Sequence, residues 1–384
     1  MTDPITINGA SGGGQMLRNA VALSAVTGRP VRVTDIRGAR PQPGLRPQHL
    51  LSVRAVAEAC GGSLVGAEIG SREIVFRPGA VRSPPLPLSG KGGAVASENR
   101  PTPAETAARV GYKLDVGTAG SVMLILQSLL PALTAASDPS ELTLIGGTDV
   151  PFAPPFDHLD QVFLPALQEL GPRVTVQLTR RGFYPKGGGE VRVTVAPAAV
   201  RSFSWSERGT VNRIAGRSYS QGLPSHIGER MRDSAVNVLR GAGYHPDVEL
   251  EVVETRRRFR EACDGGVHEP RPQRSEGCGI VLWAECEGGR RFAGSSLGRR
   301  GKRAEEVGRE AAHILLAELA GDWAVESHLA DQLIVWMALA DGTSEFTTAK
   351  LTDHLRNAVI VAEAIAGSRF TLEEGRPARV KCQV

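Results

Sequence analysis

The sequence predicts an α/β (α+β) protein built as one large domain, residues 1–203 and 290–384, with a smaller α/β domain inserted at 204–289. Two observations lead there. The same order of strand, glycine turn, helix, strand, helix and further strands occurs three times, at about 1–80, 112–200 and 290–384, and such self-similarity marks repeated architecture. The chain of 384 residues is also too long for a single ordinary domain, at a prior of about 150 residues each.

In the first unit ITIN reads as a strand, GASGGG as a turn, 15–27 as a helix and VRVTDI as a second strand. A helix at 47–60 and strand signals at GSLVGAE and REIVFRP complete it. The second unit repeats this with strand KLDVG, a glycine turn at 117–120, helix 122–133, strand ELTLIGG, helix 156–170 and strands RVTVQLTR and EVRVTVAP. The third is read from RFAGSS through helices 303–319 and 327–340, strand SEFTTA, helix 353–366 and strands RFTLEE and ARVKCQV. Each unit thus has two helices, or three in the last, and about four strands, the size of a small α/β module. The inserted segment has its own alternation: strand VNRIAGRSYS, helix 224–241, then strands VELEVVETR and GIVLWAEC. Residues 79–111, rich in Pro, Gly, Ser and Ala, read as disordered.

Composition closes several functional classes. Hydrophobic residues at 41% and charged residues at 22% fit a soluble globular protein. The longest apolar run, 122–136, is interrupted by Gln127, Ser128 and Pro131 and is too short to span a membrane. The first residues lack the cationic start and apolar stretch of a secretory signal, so a cytoplasmic location is expected. Cys60, Cys263, Cys278, Cys286 and Cys382 are scattered and odd in number, which predicts reduced thiols. A net charge of +4 permits an anionic partner without requiring one.

Four segments carry candidate chemistry. The turn 9–14 lies between a strand and a helix, where backbone N–H groups receive anions, and Arg18 follows one turn later. It lacks the GK[ST] of a Walker loop, and a plain tight turn explains the glycines equally well. The segment IRGARPQPGLRPQHL places Arg37, Arg40 and Arg46 in a proline-stiffened loop, with Gln48 and His49 opening the next helix. Guanidinium forks beside a helix start suit phosphate, although a solvated basic loop reads the same way. His328, Asp331 and Gln332 share one helix face beside an apolar stripe, fit either for a nucleobase and ribose or for a bonded helix edge.

His354 follows two good N-cap residues, Thr352 and Asp353, and so falls in the first turn of the last helix. The positive helix end disfavours imidazolium there, and a neutral ring has a lone pair for nucleophilic attack. His49, His158 and His328 are the other histidines left as contenders. The basic runs 256–260 and 299–303 read as solvated faces. No HExxH, DxDxDG or paired Cys/His spacing occurs, so a metal would be held mainly by phosphate oxygens.

GASGGGQMLR, IRGARPQPGLRPQHL, GGTDVPFAPP, RGFYPKGGG and HLADQLIVWMALA, in that order along nearly the whole chain, resemble the RNA 3′-terminal phosphate cyclase family. The resemblance implies three βαβαββ-like units with an inserted domain. It also implies conversion of an RNA 3′-phosphate to a 2′,3′-cyclic phosphodiester, with ATP as substrate and Mg²⁺ or Mn²⁺, through a histidine-AMP intermediate that matches His354. Arg18, Arg37, Arg40, Gln48 and His49 match positions that handle phosphate. Gln127 matches a nucleotide-contacting glutamine, Pro154 and His328 the pair that sandwiches adenine, and Leu329, Ala330, Asp331 and Gln332 the rest of the nucleotide-binding run. Departures exist. Ser11 stands where many family members carry a metal-holding glutamate, His328 where a tyrosine can occur, and HLRNA where HLxTN is more usual.

The partners expected on this reading are ATP and an RNA with a 3′-phosphate end. A non-catalytic RNA-binding relative that serves ribosome assembly is the alternative, and retention of His354 and the arginine loop argues against it. An enzyme of the same repeated fold acting on a small phosphorylated metabolite is a further alternative.

Overall fold

A computed structural model describes residues 2–79, 110–253 and 275–384. The stretch 79–111 expected to be disordered, the basic run 256–260, Cys263 and His268 lie wholly or almost wholly outside these residues. Cys60, Cys278, Cys286 and Cys382 are free thiols.

The first unit comprises β1 (Ile5–Asn8), α1 (Gly13–Thr27), β2 (Val31–Thr34), α2 (Pro47–Ala59), β3 (Ser63–Val65) and β4 (Ile74–Arg77). The second comprises β5 (Val110–Asp115), α3 (Val122–Thr134), β6 (Ser140–Gly146), α4 (Phe156–His158), a π turn (Leu159–Phe163), α5 (Leu164–Glu169), β7 (Arg173–Arg180) and β8 (Gly189–Ala196). Their sheets have one plan, β1-β2-β4-β3 and β5-β6-β8-β7, in which the first pair is parallel and the other pairs antiparallel. Alternation along the strands explains the layering: Leu142 and Leu144 of β6 and Val191, Val193 and Val195 of β8 are buried on the helix-covered side.

The third unit opens differently from expectation. Its first strand is β9 (Ser204–Trp205), which pairs in parallel with β14 (Thr343–Thr348). The remaining elements are α8 (Ser327–Met337), α9 (Asp353–Ala366), β15 (Arg369–Glu373) and β16 (Ala378–Gln383), giving the same plan as β9-β14-β16-β15. Between β9 and α8 lies the inserted sheet, β11-β10-β12-β13, formed by β10 (Val211–Gln221), β11 (Asp247–Val253), β12 (Gly277–Cys286) and β13 (Arg291–Leu297). Helices α6 (Ser225–Gly241) and α7 (Ala304–Glu318) pack on each other and on this sheet.

The expected insert boundary at 289/290 is therefore corrected. β13 is hydrogen-bonded to β12 along its length, and α7 buries Val307, Ala311 and Leu315 with Met231 and Leu239 of α6. The run 299–303 forms the exposed turn before α7, with Lys302 paired to Glu310.

A buried ion cluster joins the insert to the second unit. Arg181 contacts Asp149 at 3.2 Å, Asp157 at 2.8 Å and Glu251 of β11 at 2.8 Å. Its guanidinium also lies 3.7 Å from the ring centroid of Tyr219 in β10. Helix α1 packs on α2, α3 and α9, which brings the starts of the helices of all three units toward one place. No helix among the described residues is long and apolar enough to cross a membrane.

Candidate active site

The site begins at the turn entering α1. That helix starts at Gly12 and Gly13 with no side-chain cap, and Gln15 N turns back to Gly12 O at 3.3 Å, so the positive end of the helix is open to an anion. Gly13 adopts φ +58°, a conformation glycine allows without strain, and a Cβ there would meet the Arg40 guanidinium at 3.4 Å. At Gly14 a Cβ would collide with His49 Nε2. The two glycines thus let Arg40 and His49 close directly on the turn.

The arginine loop is fastened to the same turn by backbone bonds, Arg37 N to Gly9 O at 3.2 Å and Ala39 N to Ala10 O at 3.3 Å. Arg37, at φ +56°, braces the loop itself: its Nη1 donates to the carbonyls of Gln42 at 2.7 Å and Gly44 at 3.0 Å. Arg40 is exposed. Burial lowers the pKa of Arg37, and the like charges of Arg46 and Arg40 lower it further. Such crowding of cations favours an anion between them.

His49 is buried, and its Nδ1 accepts a bond from Arg46 N at 3.3 Å. Burial, with Arg18, Arg37 and Arg46 around it, pushes its pKa down to about 3, so the ring is neutral. Burial also lowers Arg18 to about 10, which leaves it charged at neutral pH. Gln48 Oε1 accepts from Ser121 N at 3.0 Å and ties the start of α2 to the turn before α3.

His354 is exposed in the first turn of α9, where Thr352 Oγ1 caps the helix by accepting from Leu355 N at 3.1 Å. Its Nδ1 lies 2.6 Å from Gln15 Oε1. A carbonyl oxygen only accepts, so this contact fixes the proton on Nδ1 and leaves Nε2 with the lone pair. The pKa of His354 is lowered by partial desolvation and then by Arg18, Arg40 and His328, against a smaller upward pull from Asp353. The amide of Gln15 also bonds Asp331. Burial raises Asp331 to about 7, against downward pulls from His328, Arg18 and that amide.

Helix α8 is capped by buried Glu326, which accepts from Leu329 N at 2.7 Å and His328 N at 3.1 Å. Glu326 also meets His158 Nε2 at 2.9 Å. Burial works to raise its pKa, but the bond and charge of His158 outweigh it and hold the carboxyl below its usual range. His158 is therefore used inside the fold, and it fastens the segment after Pro154 to the start of α8. His328 is exposed, whereas Leu329 and Ala330 are buried and pack their side chains in the core. Gln127 Nε2 donates to Gln332 Oε1 at 3.0 Å, joining α3 to α8. The bonds and fields thus gather Arg18, Arg40, His49, His328, Asp331 and His354 around the α1 turn. Gln127 and Gln332 bond to each other between α3 and α8, and Pro154 precedes the segment that His158 fastens to the start of α8.

The sequence reading missed Gln15 and Glu326. Neither a lone glutamine after a glycine turn nor a glutamate at an N-cap carries a spacing signal. A resident metal does not fit the side chains present. Ser11 Oγ donates to Asn357 Oδ1 at 3.1 Å, and no group of three or more His, Cys, Asp or Glu suited to a cation occurs among the described residues.

The family model described as RNA 3′-terminal phosphate cyclase matches residues 10–372. The chain belongs to that family. A protein named RNA 3′-terminal phosphate cyclase from Archaeoglobus fulgidus is 41% identical over 371 residues, covering 96% of this chain and 98% of its own. One of the same name from Methanopyrus kandleri is 39% identical over 383 residues, covering 98% of each. The insert and the cluster of Arg18, Arg40, His49, His328, Asp331 and His354 fall inside the span matched to the cyclase family, which leaves out β1 of the first unit and β16 of the third.

Proposed function

We propose that this chain uses ATP to convert an RNA 3′-terminal phosphate into a 2′,3′-cyclic phosphodiester, releasing AMP and diphosphate. The observation that carries the proposal is the His354 imidazole, held through Nδ1 by Gln15 with its pKa depressed beside Arg18 and Arg40. Such a ring offers a neutral Nε2 in a cationic setting, which suits attack on a phosphorus atom of a polyanion.

In the first step Nε2 attacks the α-phosphorus, a P–N bond forms and diphosphate leaves. An oxygen of the RNA 3′-phosphate then attacks that phosphorus, breaks the P–N bond and forms an anhydride between RNA and AMP. The neighbouring 2′-oxygen attacks the 3′-phosphorus, its proton passes to solvent and AMP leaves. The last step is intramolecular, so proximity lowers its barrier by several kcal/mol. The two activation steps are needed because a phosphate dianion has no good leaving group.

Arg18 and Arg40, with the uncapped start of α1, are suited to the phosphates, and Arg37, Gln48 and His49 to shaping that pocket. Pro154 and His328 are suited to flank adenine, with Asp331, Gln332 and Gln127 at its polar edge. Leu329 and Ala330 set the helix that presents them. Mg²⁺ or Mn²⁺ would arrive on the ATP phosphates, and no step is assigned to it.

The test is incubation of a 3′-phosphorylated oligonucleotide with ATP and a divalent ion. The expected product has a terminus resistant to phosphatase, with one AMP and one diphosphate formed per end closed. A terminus that stays fully phosphatase-sensitive refutes the proposal and favours the RNA-binding relative.

A further inference from the structure

The open face of the second sheet, away from α3, carries features that the reaction above does not use. At the end of this face nearest the site is a cavity of about 390 Å³, lined by Lys113 and Asp115 of β5, Arg180 of β7, Glu190 of β8, Lys186 and the turn 117–118. That volume is in the range of ligand sites. Its acidic groups are engaged: Asp115 Oδ1 accepts from Gly117 N at 2.8 Å, and Glu190 faces Arg180 at 3.8 Å. Lys113 and Lys186 are exposed and have no ion-pair partner among the described residues. Exposed Arg192 of β8 shares the sheet row of Lys113 through Thr143, since Lys113 pairs with Thr143 and Thr143 with Arg192. The bond from Gly117 leaves the Asp115 carboxylate charged, and Glu141 shares the side of β6 that carries Thr143. Counted together, the four cations Lys113, Arg180, Lys186 and Arg192 exceed the three carboxylates Asp115, Glu141 and Glu190 by one, so the balance on this face is cationic.

Aromatic side chains stand at the rim. Tyr184, in the hairpin that ends at Lys186, is 69% exposed. Phe152 is fully exposed and adopts φ +66°, a strained conformation for a bulky residue that contributes nothing to the core. A bridge between Asp149 and Phe183 sets their two loops side by side. Cationic groups along a track with exposed rings at its edge match the chemistry of unpaired nucleic acid, phosphates on the cations and bases on the rings.

The track is continuous with the site. The turn at 117–118 lines the cavity, Gly120 of the same turn packs against the Gln48 side chain, and His49 beside it meets the α1 turn. We propose that this face, from Tyr184 and Phe152 across Lys186 to Lys113 and Arg192, binds the nucleotides on the 5′ side of the reacting RNA end. The proposal rests on the cyclase reading and adds where the rest of the strand lies.

The test is the double variant Lys113→Glu/Lys186→Glu, with Tyr184→Ala separately, compared with wild type in three measurements. Attachment of AMP from ATP alone is expected to be unchanged, which also reports an intact fold. For a long 3′-phosphorylated oligonucleotide, KM is expected to rise about tenfold or more in the double variant. The dependence of log(kcat/KM) on log salt should become shallower by about 0.7 for each phosphate that the variant no longer neutralises. For a 3′-phosphorylated dinucleotide, too short to reach the track, KM is expected to stay put. Equal changes for both lengths, or none for the long substrate, overturn the proposal. If wild type neither takes up AMP nor closes RNA ends, the cyclase reading fails. Fluorescence anisotropy of the labelled long strand then still judges the track: unweakened binding by the double variant overturns it too.

Discussion

Replacing Gln15 by glutamate puts a carboxylate where a neutral carbonyl now lies 2.6 Å from His354 Nδ1. A negative charge at that range favours imidazolium and moves a pKa by about 1–3 units. His354 is solvent-exposed, so we take the low end, about one unit upward. One unit corresponds to about 1.4 kcal/mol, or a tenfold smaller neutral fraction on the acid side. The single-turnover rate of AMP attachment, followed against pH, should therefore show its acid limb about one pH unit higher in Gln15→Glu, with the rate recovering at alkaline pH. Gln15→Leu removes a hydrogen bond worth about 0.5–1.5 kcal/mol and should slow attachment about two- to tenfold at every pH. An unmoved acid limb in Gln15→Glu would show that this side chain does not hold the reacting ring.

Arg40→Ala should impair transfer of AMP to RNA more than its attachment to the protein, and should also raise the acid limb, because Arg40 helps depress His354; equal turnover on a 3′-phosphorylated oligonucleotide would remove that role. His49 gives a stability signature. Its folded pKa of about 3 lies below the ordinary 6.5, so the unfolded chain binds more protons between those values. Stability is then fully present above about pH 6.5 and falls toward pH 3 by on the order of 1 kcal/mol per pH unit. His49→Asn should flatten that part of a urea-midpoint profile, and an unaltered slope would contradict it. Arg181→Met should cost about 3–5 kcal/mol at neutral pH, since it strands buried Asp149 and leaves buried Asp157 with Arg217 alone. Acid should partly restore it, because burial already raises the pKa of Asp157 and protonation removes the stranded charge. Thermal melts with no loss at neutral pH would refute that account.

The repeats were legible because each unit alternates strand and helix patterns with glycine turns between them. The opening of the third unit was not. Its true first strand is two residues, Ser204–Trp205, too short to show any alternation. RFAGSS followed by the amphipathic helix α7 imitates a unit's start, yet β13 spends its hydrogen bonds on β12. Local periodicity does not say which edge a strand joins. In the site, the first-turn position of His354 was legible from its capping residues and the stiff basic loop from its prolines and charge, whereas the roles expected of both came from the family resemblance. The role of Arg37 was not, because it depends on carbonyls at Gln42 and Gly44 that the folded loop turns toward it. Gln15 was invisible for the same reason: its importance lies in meeting a residue far away in sequence, His354.

The most direct measurement is intact-mass analysis after incubation with ATP and a divalent ion, followed by peptide mapping. The account requires a single AMP group on the peptide containing His354, stable to base, released by acid and absent from His354→Ala. An adduct that persists in His354→Ala, or one mapped to another residue, would contradict it.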